Sequence, residues 1–287
     1  MNCSLVQVKT RDRIVLHGLL WEASQKKTVV INIHGTASSF YDEDFMPVMG
    51  EKFSQQGISF LSTNNRGTMV LQARPLLGAA TESFEDCVKD IDAWISFARV
   101  RNYQHIFLQG HSLGTEKIVY YLNKGQHKDL VKGVILLGFS DSYGSQMKYL
   151  QKKKLSSKLI AEAYQLVSRR KWHTFLTSHW QSHAGVFPRS ASAYINAFKH
   201  NSELSKALPL HQGKNLAFYK KISVPILAII GDKKEYTIIP IQQALSLLKK
   251  ENPLTETHQI KNCNHDFEGK EQELTRLVRL WLQRHRV

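Results

Sequence analysis

Five apolar runs, each ending at or just before a small polar cluster, constrain this chain more than any other feature. TVVINI (28–33), ISFLST (58–63), HIFL (105–108), VKGVILLG (131–138) and SVPILAIIG (223–231) are short, apolar and rich in β-branched residues. That combination marks buried strands. Helical patterns separate them, at 43–56, at 82–100 and at 115–122 (TEKIVYYL). In the second of these, Phe84, Val88, Ile91, Trp94, Ile95 and Ala98 fall on one helical stripe. The tail adds a helix over 240–250, a strand over 255–260 and an amphipathic helix over 269–286. Strands alternating with helices need a mostly parallel sheet with helices on both faces, which makes the chain α/β. Residues 4–10 and 13–23 alternate in polarity and meet at Arg11-Asp12, so the chain opens with two antiparallel strands. Pro225 starts its strand, where a missing N–H is tolerated.

One stretch breaks the alternation. Residues 143–221 hold helical patterns but no convincing buried strand, and they are rich in Lys, His, Ser and aromatics. Such a segment is too long for an ordinary loop. It is expected to be a helical cap inserted between two late strands, with residues 1–142 and 222–287 forming the core. No internal repeat is evident.

Bulk properties exclude several classes. A chain of 287 residues with 42% hydrophobic and 22% charged residues is globular. No apolar run is long enough to span a bilayer, and MNCSLVQVKTRDR lacks the apolar segment of a signal peptide. A soluble, cytoplasmic protein is expected. Cys3, Cys87 and Cys263 are odd in number and widely spaced, which argues against disulfides and zinc knuckles. The net charge of +15 favours anionic partners, but no nucleic-acid motif accompanies it.

The polar clusters gather where an open parallel sheet binds ligands, at the carboxyl ends of its strands. They are His34-Gly35-Thr36, Asn64 to Gly67, Ser112, Ser140-Asp141, Asp232 to Glu235 and Asn264-His265-Asp266. In LQGHSLGTEK, Gly110, Ser112 and Gly114 stand where a strand must turn sharply into a helix. G-x-S-x-G at such a junction fits either a nucleophile elbow or a tight turn whose serine merely caps the helix, and the clustering of polar strand ends favours the elbow. A serine needs a base within hydrogen-bond reach, and the base needs an orienting acid. The best base among thirteen histidines is His265, between the last strand and the final helix. The acid should follow SVPILAIIG, in the chain order Ser, acid, His. There the sequence reads GDKKEYTIIP, with Lys234 where a carboxylate is usual. Glu235 is favoured, since its longer side chain can absorb a shift of one residue. Asp232 is a near-equal alternative and Asp141 a third. Backbone N–H groups of Leu113 and Thr36 are the candidate oxyanion donors. His173, His179 and His183 have no carboxylate or cysteine nearby, which argues against a metal site.

HGT, NNRG, GHSLG, GDKKE and NHDF, in this order, resemble an α/β-hydrolase over nearly the whole chain outside the cap. The longer segments HGTASSFYDEDF, FLSTNNRG, FEDCVKDIDAWISF and LQGHSLGT resemble a bacterial and fungal branch of small serine hydrolases. The resemblance implies Ser112 as nucleophile, His265 as base, and Leu113 and Thr36 as oxyanion donors. Lys234 departs from its pattern, which has Asp there. The expected activity is hydrolysis of a carboxylic ester, thioester or amide through an acyl-enzyme, with no cofactor and no metal. Acyl transfer by the same residues is the alternative, and a degenerate acid position would leave a binding protein. Substrate choice is assigned to the cap. Its aromatics Trp172, Phe175, Trp180, Phe187 and Tyr194 are expected mainly to pack it onto the core, though they could also line an apolar acyl or aryl pocket. Its basic runs, Lys148 to Lys154 and Arg169-Arg170-Lys171, could receive an acidic carrier protein or an anionic substrate.

Overall fold

A computed structural model describes residues 3–25, 27–177, 181–182, 185–186 and 188–285. The sheet strands are β1 Ser4–Lys9, β2 Val15–Trp21, β3 Thr28–Ile33, β4 Ile58–Thr63, β5 His105–His111, β6 Val131–Leu137, β9 Ile226–Ile230 and β10 Thr255–Gln259. Their order across the sheet is β1-β2-β4-β3-β5-β6-β9-β10. β1–β2 and β2–β4 pair antiparallel, and every later pair is parallel. This is the eight-stranded, mostly parallel sheet that the alternation predicts.

Period-two alternation divides each strand between two helical layers. Val29, Ile31 and Ile33 of β3, Leu108 of β5 and Val134 of β6 pack toward α2 (Cys87–Val100), α3 (Leu113–Lys124) and α8 (Ile241–Glu251). Val30, Phe107, Ile135 and Leu137 face α1 (Phe45–Ser54) and α9 (Glu271–His285). β3 and β4 are buried along their whole length, as central strands covered on both faces must be. The helix over 82–100 starts later than its stripe suggests. Phe84–Asp86 form a 3₁₀ turn first, which still buries Phe84.

Between β6 and β9 run α4 (Ser142–Lys153), α5 (Ser156–Ser168), the two-residue strands β7 (Gln181–Ser182) and β8 (Gly185–Val186), α6 (Ala191–Phe198) and α7 (Glu203–Ala207). β7 and β8 form a small antiparallel ribbon that the sequence did not signal. A third apolar cluster joins these helices to α3. Leu150, Leu159, Tyr194, Phe198 and Leu204 pack with Leu113, Tyr120 and Phe84. Tyr194 therefore packs inward, whereas Trp172 is exposed. Trp180, Phe187, His179 and His183 lie outside the described residues. Cys3, Cys87 and Cys263 are free thiols. No helix of the described residues is long and apolar enough to cross a membrane.

Candidate active site

β5 ends at His111, and α3 begins at Leu113. Ser112 alone turns the chain between them, at φ 53° and ψ −125°. A positive φ at a non-glycine residue costs about 1–3 kcal/mol and is tolerated only where the surroundings enforce it. Here they do. A Cβ on Gly35 would lie 2.9 Å from the Ser112 Cβ, and a Cβ on Gly114 would collide with the Ile33 carbonyl oxygen. The loop after β3 and the start of α3 thus close on the serine as only glycines allow.

His34 holds that loop from below. It is fully buried, and burial pushes its pKa down to about 3, so the ring is neutral. Nε2 accepts from the Asn65 amide at 3.1 Å, so the proton sits on Nδ1, which donates to the Gly35 carbonyl at 2.8 Å. Thr36 lines the cleft above. Among the described residues, no hydrogen bond occupies the Thr36 or Leu113 amide.

The three candidate acids separate clearly. Glu235 meets the imidazole: its Oε2 lies 2.7 Å from His265 Nδ1, and its Oε1 accepts from the Gly231 amide at 2.9 Å. The Glu235 side chain is 1% exposed. Lys234, at φ 55°, is what turns Glu235 toward the ring. Asp232 instead accepts from the Asn262 and Cys263 amides at 2.9 and 3.0 Å, which fixes the loop leading to His265. Those bonds also lower its pKa. Asp141 caps α4 by accepting from Gly144 N at 2.7 Å, and its other oxygen lies 2.6 Å from His211 Nδ1 rather than at His265.

His265 Nε2 is buried and has no partner among the described residues. A carboxylate at Nδ1 keeps the proton there and leaves Nε2 as an open acceptor. Ser112, Thr36 and His265 line one cleft of about 440 Å³. Its walls are polar: Ser38, Ser140, Ser142 and Asn264 contribute, and no Leu, Ile, Val, Met or Phe among the described residues lines it. Among the described residues, Tyr236 is the one large aromatic ring besides the histidines in that wall.

Not every strand-end cluster reaches this cleft. Arg66, of Asn64 to Gly67, is buried in ion pairs to Asp90 at 2.8 Å, Asp12 at 2.9 Å and Asp86 at 3.1 Å. It serves the scaffold. Other residues escaped the sequence reading. His111 stacks on His265, with ring centroids 4.9 Å apart, and its Nε2–H donates to the His265 carbonyl at 2.9 Å. Glu116, four residues beyond Ser112, accepts from Ser140 Oγ at 2.8 Å and Ser142 N at 3.0 Å, so α3 steadies the cleft wall. Glu43, also in the wall, carried no signal of its own in the sequence. Among the described residues, His111, His265 and Asp266 alone bring three ligating side chains within 4.8 Å of one another. His111 Nε2 and His265 Nδ1 are already spent on the bonds above.

Sheet order, elbow and the Glu235–His265 pair after β9 and β10 define an α/β-hydrolase fold, and solved structures share it along nearly the full chain. DcsB, solved with a substrate analogue, superposes with a TM-score of 0.72 at 14% identity, covering 99% of each chain. The α/β-hydrolase GrgF from Penicillium sp. sh18 gives 0.67 at 16% identity, again over 99% of each. An esterase of Pyrococcus furiosus gives 0.63 at 18% identity, over 99% of this chain and 92% of its own. The chain belongs to the DUF1749 family, described as proteins of unknown function, which matches residues 75–281. No curated protein matches.

Proposed function

We propose that the protein is a serine hydrolase that cleaves a carboxylic ester or thioester through an acyl-enzyme on Ser112. The observation that carries this reading is the His265 ring: Nδ1 sits on Glu235 while Nε2 is open, in the cleft that holds Ser112. Ser112 Oγ attacks the carbonyl carbon while Nε2 takes its proton, and the carbonyl π pair moves onto oxygen. The Thr36 and Leu113 amides hold that oxyanion. As the tetrahedral species collapses, the leaving oxygen or sulfur departs with the proton from Nε2. Water then attacks the acyl-enzyme, with Nε2 again taking the proton, and the acid is released. Glu235 stabilises the imidazolium throughout.

Residues 143–221 act in this reading as a cap on the core formed by 1–142 and 222–287. Acyl transfer would need only another acceptor in place of water. An acidic carrier would meet the cap at the exposed Lys152, Lys153 and Lys154. The test is labelling by a fluorophosphonate, with the adduct located by mass spectrometry. Modification of Ser112 that disappears in Ser112→Ala is the expected result. Folded protein that does not react would refute the reading and leave a binding protein on a hydrolase fold.

A further inference from the structure

The charges lining the cleft run against the charge of the molecule. The chain carries +15, yet three carboxylates, Glu43, Asp266 and Glu268, face one ammonium, Lys234, in the walls around Ser112. Charges beyond about 8 Å are largely screened at physiological salt, so the near groups set the local potential. Glu268 accepts from the Asn264 side-chain amide at 2.7 Å.

Glu43, largely buried, and Asp266, about half exposed, have no cationic partner among the described residues. Glu43 Oε1 lies 3.7 Å from His111 Nδ1, and Asp266 Oδ1 lies 3.9 Å from His111 Nε2. His111 cannot neutralise them. Burial holds it neutral, with a pKa near 3, and its Nε2–H belongs to the His265 carbonyl. Its Nδ1, on a ring 3% exposed, has no hydrogen bond among the described residues. The remaining contact to Glu43 is a long one, 3.4 Å from Ser38 Oγ. Among the described residues, no Lys or Arg pairs with either carboxylate. Burial, and then the Asp266 charge, push the Glu43 carboxyl up to about 7, so a cation placed beside it would favour its ionised form.

We infer that Glu43 and Asp266 form a specificity site for substrates that carry an ammonium group close to the scissile carbonyl. The inference rests on Ser112 being the nucleophile. A cationic nitrogen would take the place of the missing counterion and hold the ester over the serine. The polar walls suit the same small, hydrophilic substrate.

The test compares two p-nitrophenyl esters of nearly equal shape, β-alanyl (cationic) and butyryl (neutral), near neutral pH. kcat/KM for the β-alanyl ester should exceed that for the butyryl ester by roughly tenfold or more, as a charge-assisted hydrogen bond would give. In Glu43→Gln and in Asp266→Asn the ratio should fall toward one. A ratio near or below one in the wild type, with Ser112 still labelled by the fluorophosphonate, overturns the ammonium site and leaves the hydrolase standing. So does a ratio unchanged in both variants. Absence of labelling at Ser112 removes both readings together.

Discussion

Glu235→Gln isolates the role of the carboxylate with little change of shape. The Gly231 amide donates to Oε1, and the glutamine carbonyl can keep that bond, which leaves its amide NH₂ facing His265 Nδ1. A donor there forces Nδ1 to be the lone pair and moves the ring proton to Nε2, where it blocks acceptance from Ser112. The charge is lost as well. For unit charges about 4 Å apart near a protein surface, the attraction is about 4 kcal/mol. Losing it when the imidazolium forms slows the reaction about a thousandfold. The assay is kcat on a neutral p-nitrophenyl ester together with the rate of fluorophosphonate labelling, and both should drop. Asp232→Asn is the control, because its bonds go to the loop backbone; a small effect is expected. Activity of Glu235→Gln within about tenfold of wild type would refute the reasoning, and so would an equal loss in Asp232→Asn.

Other outcomes follow from buried groups. Burial raises the Glu116 pKa from 4.5 to about 8, so the folded chain holds this proton more tightly than the unfolded chain. Its contribution to stability is therefore full below pH 4.5 and is lost as pH rises through 8. Glu116→Gln cannot ionise, so urea unfolding should show its stability gaining on the wild type between pH 6 and pH 9; a constant difference would count against this. Gly35→Ala should cost about 1–3 kcal/mol through overpacking and slow labelling of Ser112, because its Cβ would sit 2.9 Å from the serine Cβ. Asp90→Asn strips the buried Arg66 of its 2.8 Å partner and should cost about 3–5 kcal/mol, read from the thermal midpoint. If the basic cap receives an acidic carrier, replacing Lys152, Lys153 and Lys154 together by Glu should weaken carrier turnover at low salt and leave small esters unaffected.

The sheet was legible because β-branched runs have one economical use. TVVINI and ISFLST are buried end to end. The turn at Ser112 was legible because G-x-S-x-G follows an apolar run and stands among other polar strand ends. The acid was not. Choosing among Glu235, Asp232 and Asp141 depends on a backbone torsion, φ 55° at a lysine, and no local pattern announces a left-handed lysine. Buried ionisable side chains were equally hidden. In TEKIVYYL, Glu116 and Lys117 read as the solvent side of a helix. Both are 1% exposed: Glu116 is held by Ser140 and Ser142, and Lys117 by Glu82 at 2.8 Å and Asn65 at 3.0 Å. Partners that remote in sequence appear only once the sheet has assembled. Glu43 escaped for the same reason, since its neighbours His111 and Asp266 come from the end of β5 and from the loop before α9.

Helix α3 belongs to three structures at once. Its first residue follows Ser112, its buried Glu116 and Lys117 tie down the strand-end loops, and Leu113 and Tyr120 anchor α4 to α7. A lineage that altered the cap would therefore tug on the nucleophile. That segment and the turn at Ser112 should drift together as one inherited block. Anyone grafting a foreign cap onto this core would do best to cut before β5 rather than after β6, so that the new cap arrives with its own α3.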